Sequence, residues 1–181
     1  MTCRIVFSGG YCAGKTTIMN KITEEFGIEK VPDHTTRAPR PGETEGKPYN
    51  FITREEFLRN KANGLYFDTF SHKDNHYGVP KEPLKTRTKW LMDIVSSAWP
   101  HFKTEFPDAI GIYIELPASH EAIIERAKKR GDSEETIKAR LELLKSEVKE
   151  GFHHYLPGDL PLEQKIERVR QIVRACLNFA H

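Results

Sequence analysis

The chain has 181 residues, of which 30% are charged and 38% hydrophobic, and a net charge of +2. That length and balance suit one soluble globular domain with a sizeable core, and they exclude a disordered chain. The near-neutral charge gives no general pull toward nucleic acid or a membrane surface, and no apolar run approaches the ~20 residues of a membrane span.

In chain order, "CRIVFS" is a short apolar run stopped by Gly9-Gly10 and is predicted to be a buried strand. Residues 15–26 place Ile18, Ile22 and Phe26 at helical spacing, an amphipathic helix. The N-terminal stretch is not a signal peptide. "REEFLRNKANG" predicts a helix ended by Gly64, followed by two short strands, "LYFDTFS" and "HYGV", around a turn. "KWLMDIV" and "AIGIYIELP" are further buried-strand candidates. Residues 118–130 form a helix with a basic end. Asp132 and Ser133 are both N-cap types for the next helix; with Asp132 as the cap, Glu135 falls at capping-box spacing. Residues 162–178 form a last amphipathic helix. Strands alternating with helices predict an α/β fold with a parallel sheet. Residues 33–80 read as an insertion between the first two sheet strands.

The clearest motif is Gly9, four residues, then Gly14-Lys15-Thr16, set between a strand and a helix. This is the spacing and context of a P-loop. Glycines let backbone N–H groups turn inward around phosphates, and the helix N-terminus adds partial positive charge. The predicted ATP cradle is Gly9, Gly10, Tyr11, Cys12, Ala13, Gly14, Lys15, Thr16 and Thr17. Lys15 is expected to reach the β/γ-phosphates, and Thr16 to offer its hydroxyl to Mg²⁺. Cys12 reads as a small residue that fits a tight loop, with a redox-sensitive thiol near the phosphates as the alternative. Cys3, Cys12 and Cys176 match neither a disulfide framework nor a zinc spacing, which points to a reducing, cytoplasmic setting.

A second anion site is expected in "DHTTRAPRPGETEGKPYNF", residues 33–51. Arg37 and Arg40 are guanidinium groups suited to gripping a phosphate. Tyr49 and Tyr77 can donate phenolic hydrogen bonds, and Glu43 can orient an arginine. Further along, Arg126 and Arg130 share a helix face at i, i+4 spacing, Gly131 is a candidate hinge, and Arg140 lies on the next helix.

With "GGYCAGKTT", "TTRAPRPGETEGKPYNFITREEF", Tyr77-Gly78 and "RAKKRGDSEETIKARL", the chain resembles guanylate kinases over most of its length. The resemblance implies a P-loop NTPase-like parallel sheet flanked by helices, with an inserted mixed α/β monophosphate-binding subdomain and a short lid. It implies one domain over 1–181: core 1–32, 81–125 and 141–181, insertion 33–80, lid 126–140. It implies transfer of the ATP γ-phosphoryl to GMP or dGMP with Mg²⁺, so its partners are small molecules, without nucleic acid or membrane. Arg37, Arg40, Tyr49 and Tyr77 match the family's acceptor-phosphate grip, and Glu43 the acidic residue beside them. Asp93 matches an aspartate near the metal and acceptor. Arg126 and Arg130 match the lid arginines, and Arg140 the arginine after the lid, so that Lys15, Arg37, Arg126, Arg130 and Arg140 form the expected catalytic set.

The departures gather at the base-reading positions. Asp33 stands where the family has serine, Val79 where it has serine or threonine, and Asp68 where it has glutamate. Guanine O6 needs a donor, which neither an ionised Asp33 nor Val79 supplies. Val95 replaces the family's second aspartate after Asp93, and Pro157-Gly158 replace polar residues in the loop expected near adenine. The acceptor therefore stays open between GMP or dGMP and another nucleoside monophosphate or ribose 1,5-bisphosphate. A non-catalytic interaction module is disfavoured, since Gly9, Gly14, Lys15 and Thr16 are all present. The oligomeric state is not legible.

Overall fold

A computed structural model describes residues 2–40, 42–47, 49–72, 74–129, 131–143 and 149–178, with the backbone alone at 72, 140 and 143. Two compact units divide the chain: Met1–Ile28 with Leu91–His181, and Glu29–Trp90.

The first unit carries the P-loop candidate. β1 (Cys3–Gly9) leads into a loop and α1 (Lys15–Phe26). β6 (Lys89–Asp93), β7 (Ile110–Ile114) and β8 (His154–Leu156) complete a sheet of order β6-β1-β7-β8, in which the β1–β7 and β7–β8 pairs are parallel. This is the expected α/β architecture. The core forms by two periodicities meeting. Alternate residues of β1, Cys3, Ile5 and Phe7, pack against Ile18, Met19 and Ile22 of α1 and against Ile166, Val169 and Val173 of α7 (Leu162–Asn178). Burial of each such side chain contributes about 2 kcal/mol. On the other side, Trp99 of α4 (Trp99–Glu105) stacks on Phe152 with ring centroids 5.1 Å apart. Gly111 in β7 leaves room for it, since a Cβ there would fall 2.5 Å from the indole.

α5 (His120–Lys129) ends on Gly131 at φ +83°. The amide of Gly131 donates to Lys128 O at 2.9 Å and that of Asp132 to Ala127 O at 3.1 Å, which is a Schellman stop. The cap of α6 (Glu134–Leu143) is Ser133, whose Oγ accepts from Thr136 N at 3.3 Å. Asp132 does not cap the helix; its carboxylate accepts from the Tyr11 hydroxyl.

The second unit is a mixed sheet of order β3-β2-β5-β4 with α2 (Arg54–Ala62). Its strands are β2 (Asp33–Thr35), β3 (Tyr49–Phe51), β4 (Tyr66–His72) and β5 (Asn75–Pro80). α2 begins as its sequence requires, with Thr53 Oγ1 accepting from Glu56 N at 3.1 Å. Its Phe57 stacks on Tyr66 and His76, at 4.9 and 5.2 Å between centroids. The short α3 (Lys81–Thr86), α4, β8 and the 3-10 turn Ser96–Ala98 were not legible beforehand. Each is too short for its apolar period to stand out.

Two predictions follow from packing in the first unit. Gly158 lies against the Leu116–Pro117 backbone so closely that a Cβ would overlap the Leu116 carbonyl. Gly158→Ala should therefore lower stability by about 2 kcal/mol or more in urea unfolding. His153 Nδ1 accepts from Gly111 N at 2.9 Å, and burial, with Lys103 and His154 nearby, pushes its imidazole below the ordinary value of 6.5. Its folded state therefore resists protonation, so its contribution is complete above pH 6.5 and is lost as pH falls through the depressed folded value. His153→Asn keeps an acceptor that does not titrate, and should flatten the fall of Tm below that pH.

Candidate functional site

The loop after β1 is shaped by its backbone. Gly9 has φ +136°, Gly14 φ +96° and Cys12 φ +62°. At Gly9 a side chain is doubly barred, because a Cβ would also overlap the Ile114 carbonyl. Gly14 is the N-cap of α1 with no side-chain cap, so the first-turn N–H groups are offered to a ligand. Cys12 takes a left-handed conformation rare for a non-glycine residue, a strain of the kind that functional loops store. Lys15 folds back across the loop, its Nζ donating to Gly9 O and, at 3.2 Å, to Gly10 O. These bonds hold the ammonium against the first carbonyls of the loop. Thr16 is exposed on the first turn of α1.

Other elements of the same unit reach this loop. Arg126 on α5 donates from Nη1 to Cys12 O at 3.5 Å, and Tyr11 bonds Asp132 just beyond α5. The predicted lid segment is thus tied to the P-loop at both Cys12 and Tyr11. Arg130 lies outside the described residues; Arg140 is on α6, described by its backbone alone. Asp93 ends β6, the neighbour of β1, where Ser8 Oγ donates to Ile94 O at 3.0 Å.

One residue had no sequence signal. Lys165 sits on the inward face of α7, is 2% exposed, and donates to Gly158 O at 2.8 Å. Burial, then the charge of Arg126, lowers its pKa against the pull of Asp159. The same contact explains Pro157-Gly158. The loop serves α7 through a backbone carbonyl, and position 158 has no room for a polar side chain.

The second unit collects the expected acceptor residues on one sheet face. Directly opposed residues share a face. The pairs Asp33↔Tyr49, Thr35↔Phe51, Thr35↔Tyr77, Phe70↔Tyr77 and Asp68↔Val79 therefore put Asp33, Tyr49, Tyr77, Asp68 and Val79 together. α2 packs through Tyr66 and His76 on the opposite face. Asp33 and Val79 are each 7% exposed.

Arg37 is held from several sides. Its Nη2 donates to both Glu43 oxygens, at 3.0 and 2.9 Å, and its Nη1 to Ala38 O at 2.8 Å. Its guanidinium lies 5.3 Å from the Tyr49 ring and 5.8 Å from that of Phe51. Glu43 also accepts from Arg40 N at 2.8 Å. Burial opposes the Glu43 charge, but the Arg40 amide and the Arg37 guanidinium outweigh it and hold its carboxyl below the ordinary 4.5. The Arg37–Glu43 pairing is thus complete near neutrality and loosens only as pH falls through that depressed value. Arg40, in contrast, is exposed.

Phe70 belongs to this array and was missed. It is 41% exposed and stacks on Tyr77, with centroids 4.7 Å apart and planes 3° from parallel. Tyr77 meets the edge of Tyr49 at 5.9 Å, and Tyr49 takes Arg37 and Lys30 against its ring. The signal was available in "LYFDTFS", where alternation puts Phe70 on the face of Asp68.

The guanylate kinase family model matches residues 1–176. Guanylate kinase of Fusobacterium nucleatum is 36% identical over 179 residues, covering 94% of this chain and 90% of that protein. Guanylate kinase of Nostoc sp. is 33% identical over 150 residues, covering 80% and 75%. The crystal structure of guanylate kinase from Anaplasma phagocytophilum superposes with a TM-score of 0.70 at 27% identity, covering 96% of this chain and 85% of that one. A sugar kinase from Janibacter sp. shares the fold at a TM-score of 0.53 and 19% identity, over 94% of both chains.

The ring stack generates a test. Aromatic pairs are worth about 0.5–1.5 kcal/mol, so Phe70→Ala should lower stability by about that much in urea unfolding. Phe70→Trp should restore it better than Phe70→Leu; unchanged stability in Phe70→Ala would show that the Phe70–Tyr77 stack contributes nothing.

Proposed function

The chain belongs to the guanylate kinase family, and from that premise we propose that it transfers the γ-phosphoryl group of ATP to GMP or dGMP. The observation that carries this reading is the oriented Arg37, fixed by Glu43 and by the Tyr49 and Phe51 rings, in a chain whose P-loop residues are all present. An arginine locked in this way costs little further entropy when it meets a phosphate.

In this reading the backbone N–H groups from Gly9 to Thr17 bind the donor phosphates, and Lys15 exchanges its carbonyl partners for β/γ-phosphate oxygens. Arg40, Tyr49 and Tyr77 grip the acceptor phosphate, with Arg37 oriented by Glu43. Arg126, Arg130 and Arg140 counter the charge that spreads over the moving phosphoryl group, and Asp93 takes the role of the family aspartate that it matches. No group of three or more His, Cys, Asp or Glu is assembled among the described residues. A hydroxyl such as Thr16 with substrate phosphate oxygens is a donor set that fits Mg²⁺, which binds through few protein ligands and keeps its waters. When bound, the ion neutralises phosphate charge.

A second reading keeps the chemistry and changes the acceptor to another nucleoside monophosphate or a phosphorylated sugar. It is favoured by Val79, which carries no hydroxyl, lying directly opposite Asp68, a carboxylate one methylene shorter than glutamate. A site whose reader for a polar group is missing loses discrimination for that group. Asp68 can still accept from N1–H and N2–H₂ of guanine.

ADP release with ATP and Mg²⁺, measured against GMP, dGMP, AMP, CMP, UMP, dTMP and ribose 1,5-bisphosphate, separates the two readings. GMP and dGMP are expected to turn over fastest; background rates with both, alongside turnover of another acceptor, would overturn the first. Arg40→Ala should lower turnover by roughly 100-fold or more, the scale for charge-stabilising groups.

A further inference from the structure

We propose that Cys3 and Cys176 are a reversible thiol–disulfide pair, a redox modification site that ties the first strand to the last helix. Two regular patterns bring these residues together although nearly the whole chain separates them. Cys3 opens the row Cys3, Ile5, Phe7 that β1 turns toward α7, and Cys176 continues the α7 stripe Ile166, Val169, Val173 at helical spacing. Cys176 packs against the cluster that contains Cys3, with its Sγ 4.0 Å from Thr2 O.

The two thiols differ in the way such a pair requires. Cys3 is 0% exposed. Cys176 is half-buried and lines an open cavity of about 940 Å³ between β8 and α7, with Ile110, Tyr155, Arg168, Gln171 and Ile172 also on its wall. A small oxidant therefore reaches Cys176 and not Cys3. The Cys3 thiol beside it lowers the Cys176 pKa most; burial opposes, and the Arg4 amide adds to the lowering. This favours the attacking thiolate.

The step balances with a low-molecular-weight disulfide such as oxidised glutathione. Cys176 thiolate attacks one sulfur, the glutathione S–S bond breaks, and one glutathione thiolate leaves. Cys3, losing its proton, then attacks Cys176 Sγ and expels the second. The protein pair gives up two electrons and two protons, and the disulfide becomes two thiols. The site is at the far end of β1 from the P-loop, about 20 Å for a strand of this length, so Cys12 serves as an internal control.

The test incubates the full chain with oxidised glutathione and reads intact mass and peptide maps without reductant. A Cys3–Cys176 cross-linked peptide, a mass loss of two hydrogens and a Tm higher by about 5 °C or more are expected. Dithiothreitol should reverse all three. Cys176→Ser should abolish the cross-link and Cys12→Ser should not. A stable glutathione adduct on Cys176 with no loss of the second glutathione would overturn the proposal, as would an unmodified Cys176 or a cross-link to Cys12.

Discussion

The first unit depends on β1 having two different ends. Along most of its length the strand is locked between α1 and α7 by Cys3, Ile5 and Phe7, all fully buried. At Gly9 the chain takes a backbone angle closed to other residues, against the Ile114 carbonyl of the next strand. A rigid strand that stops abruptly presents the following N–H groups in a fixed place. Lys15, Arg126 and Tyr11 then have a stationary loop on which to converge. Loosening the row of buried side chains would blur the loop, since the loop starts from the end of that strand.

In the second unit the corresponding constraint is the partition of one sheet into two faces. Phe57 claims the face of Tyr66 and His76 through stacked rings. That leaves Asp33, Asp68, Val79, Tyr49, Tyr77 and Phe70 on the other, where a ring array ends in the guanidinium of Arg37. Charge and packing act together here. Glu43 neutralises Arg37 and fixes its direction, and the rings exclude water from one side of it. Arg40 bonds Glu43 through its backbone amide, and its side chain is exposed.

The same alternation separates neighbouring positions of β5. Tyr77 and Val79 are two residues apart on β5, one against the aromatic array and one against Asp68. A change of side chain at Val79 therefore leaves the stacked rings of Phe70 and Tyr77 in place.

Much of this was legible in the residues. The motif around Gly9, Gly14, Lys15 and Thr16, the helices at 15–26 and 162–178, and the arginine-rich segment all carry patterns set by local physics: periodicity, backbone freedom and charge. The α/β fold follows from those patterns; the family and its kinase chemistry came with the resemblance that those segments carry and with the family match. Tertiary structure alone decided the rest, because it depends on neighbours distant in sequence. It chose Ser133 over Asp132 as a cap, since Asp132 is taken by Tyr11. It buried Lys165 on the carbonyl of a glycine that can bear no side chain. It also set Cys176 against the cluster that holds Cys3, a proximity that spacing along the chain conceals because it arises where a strand's two-residue period meets a helix's stripe.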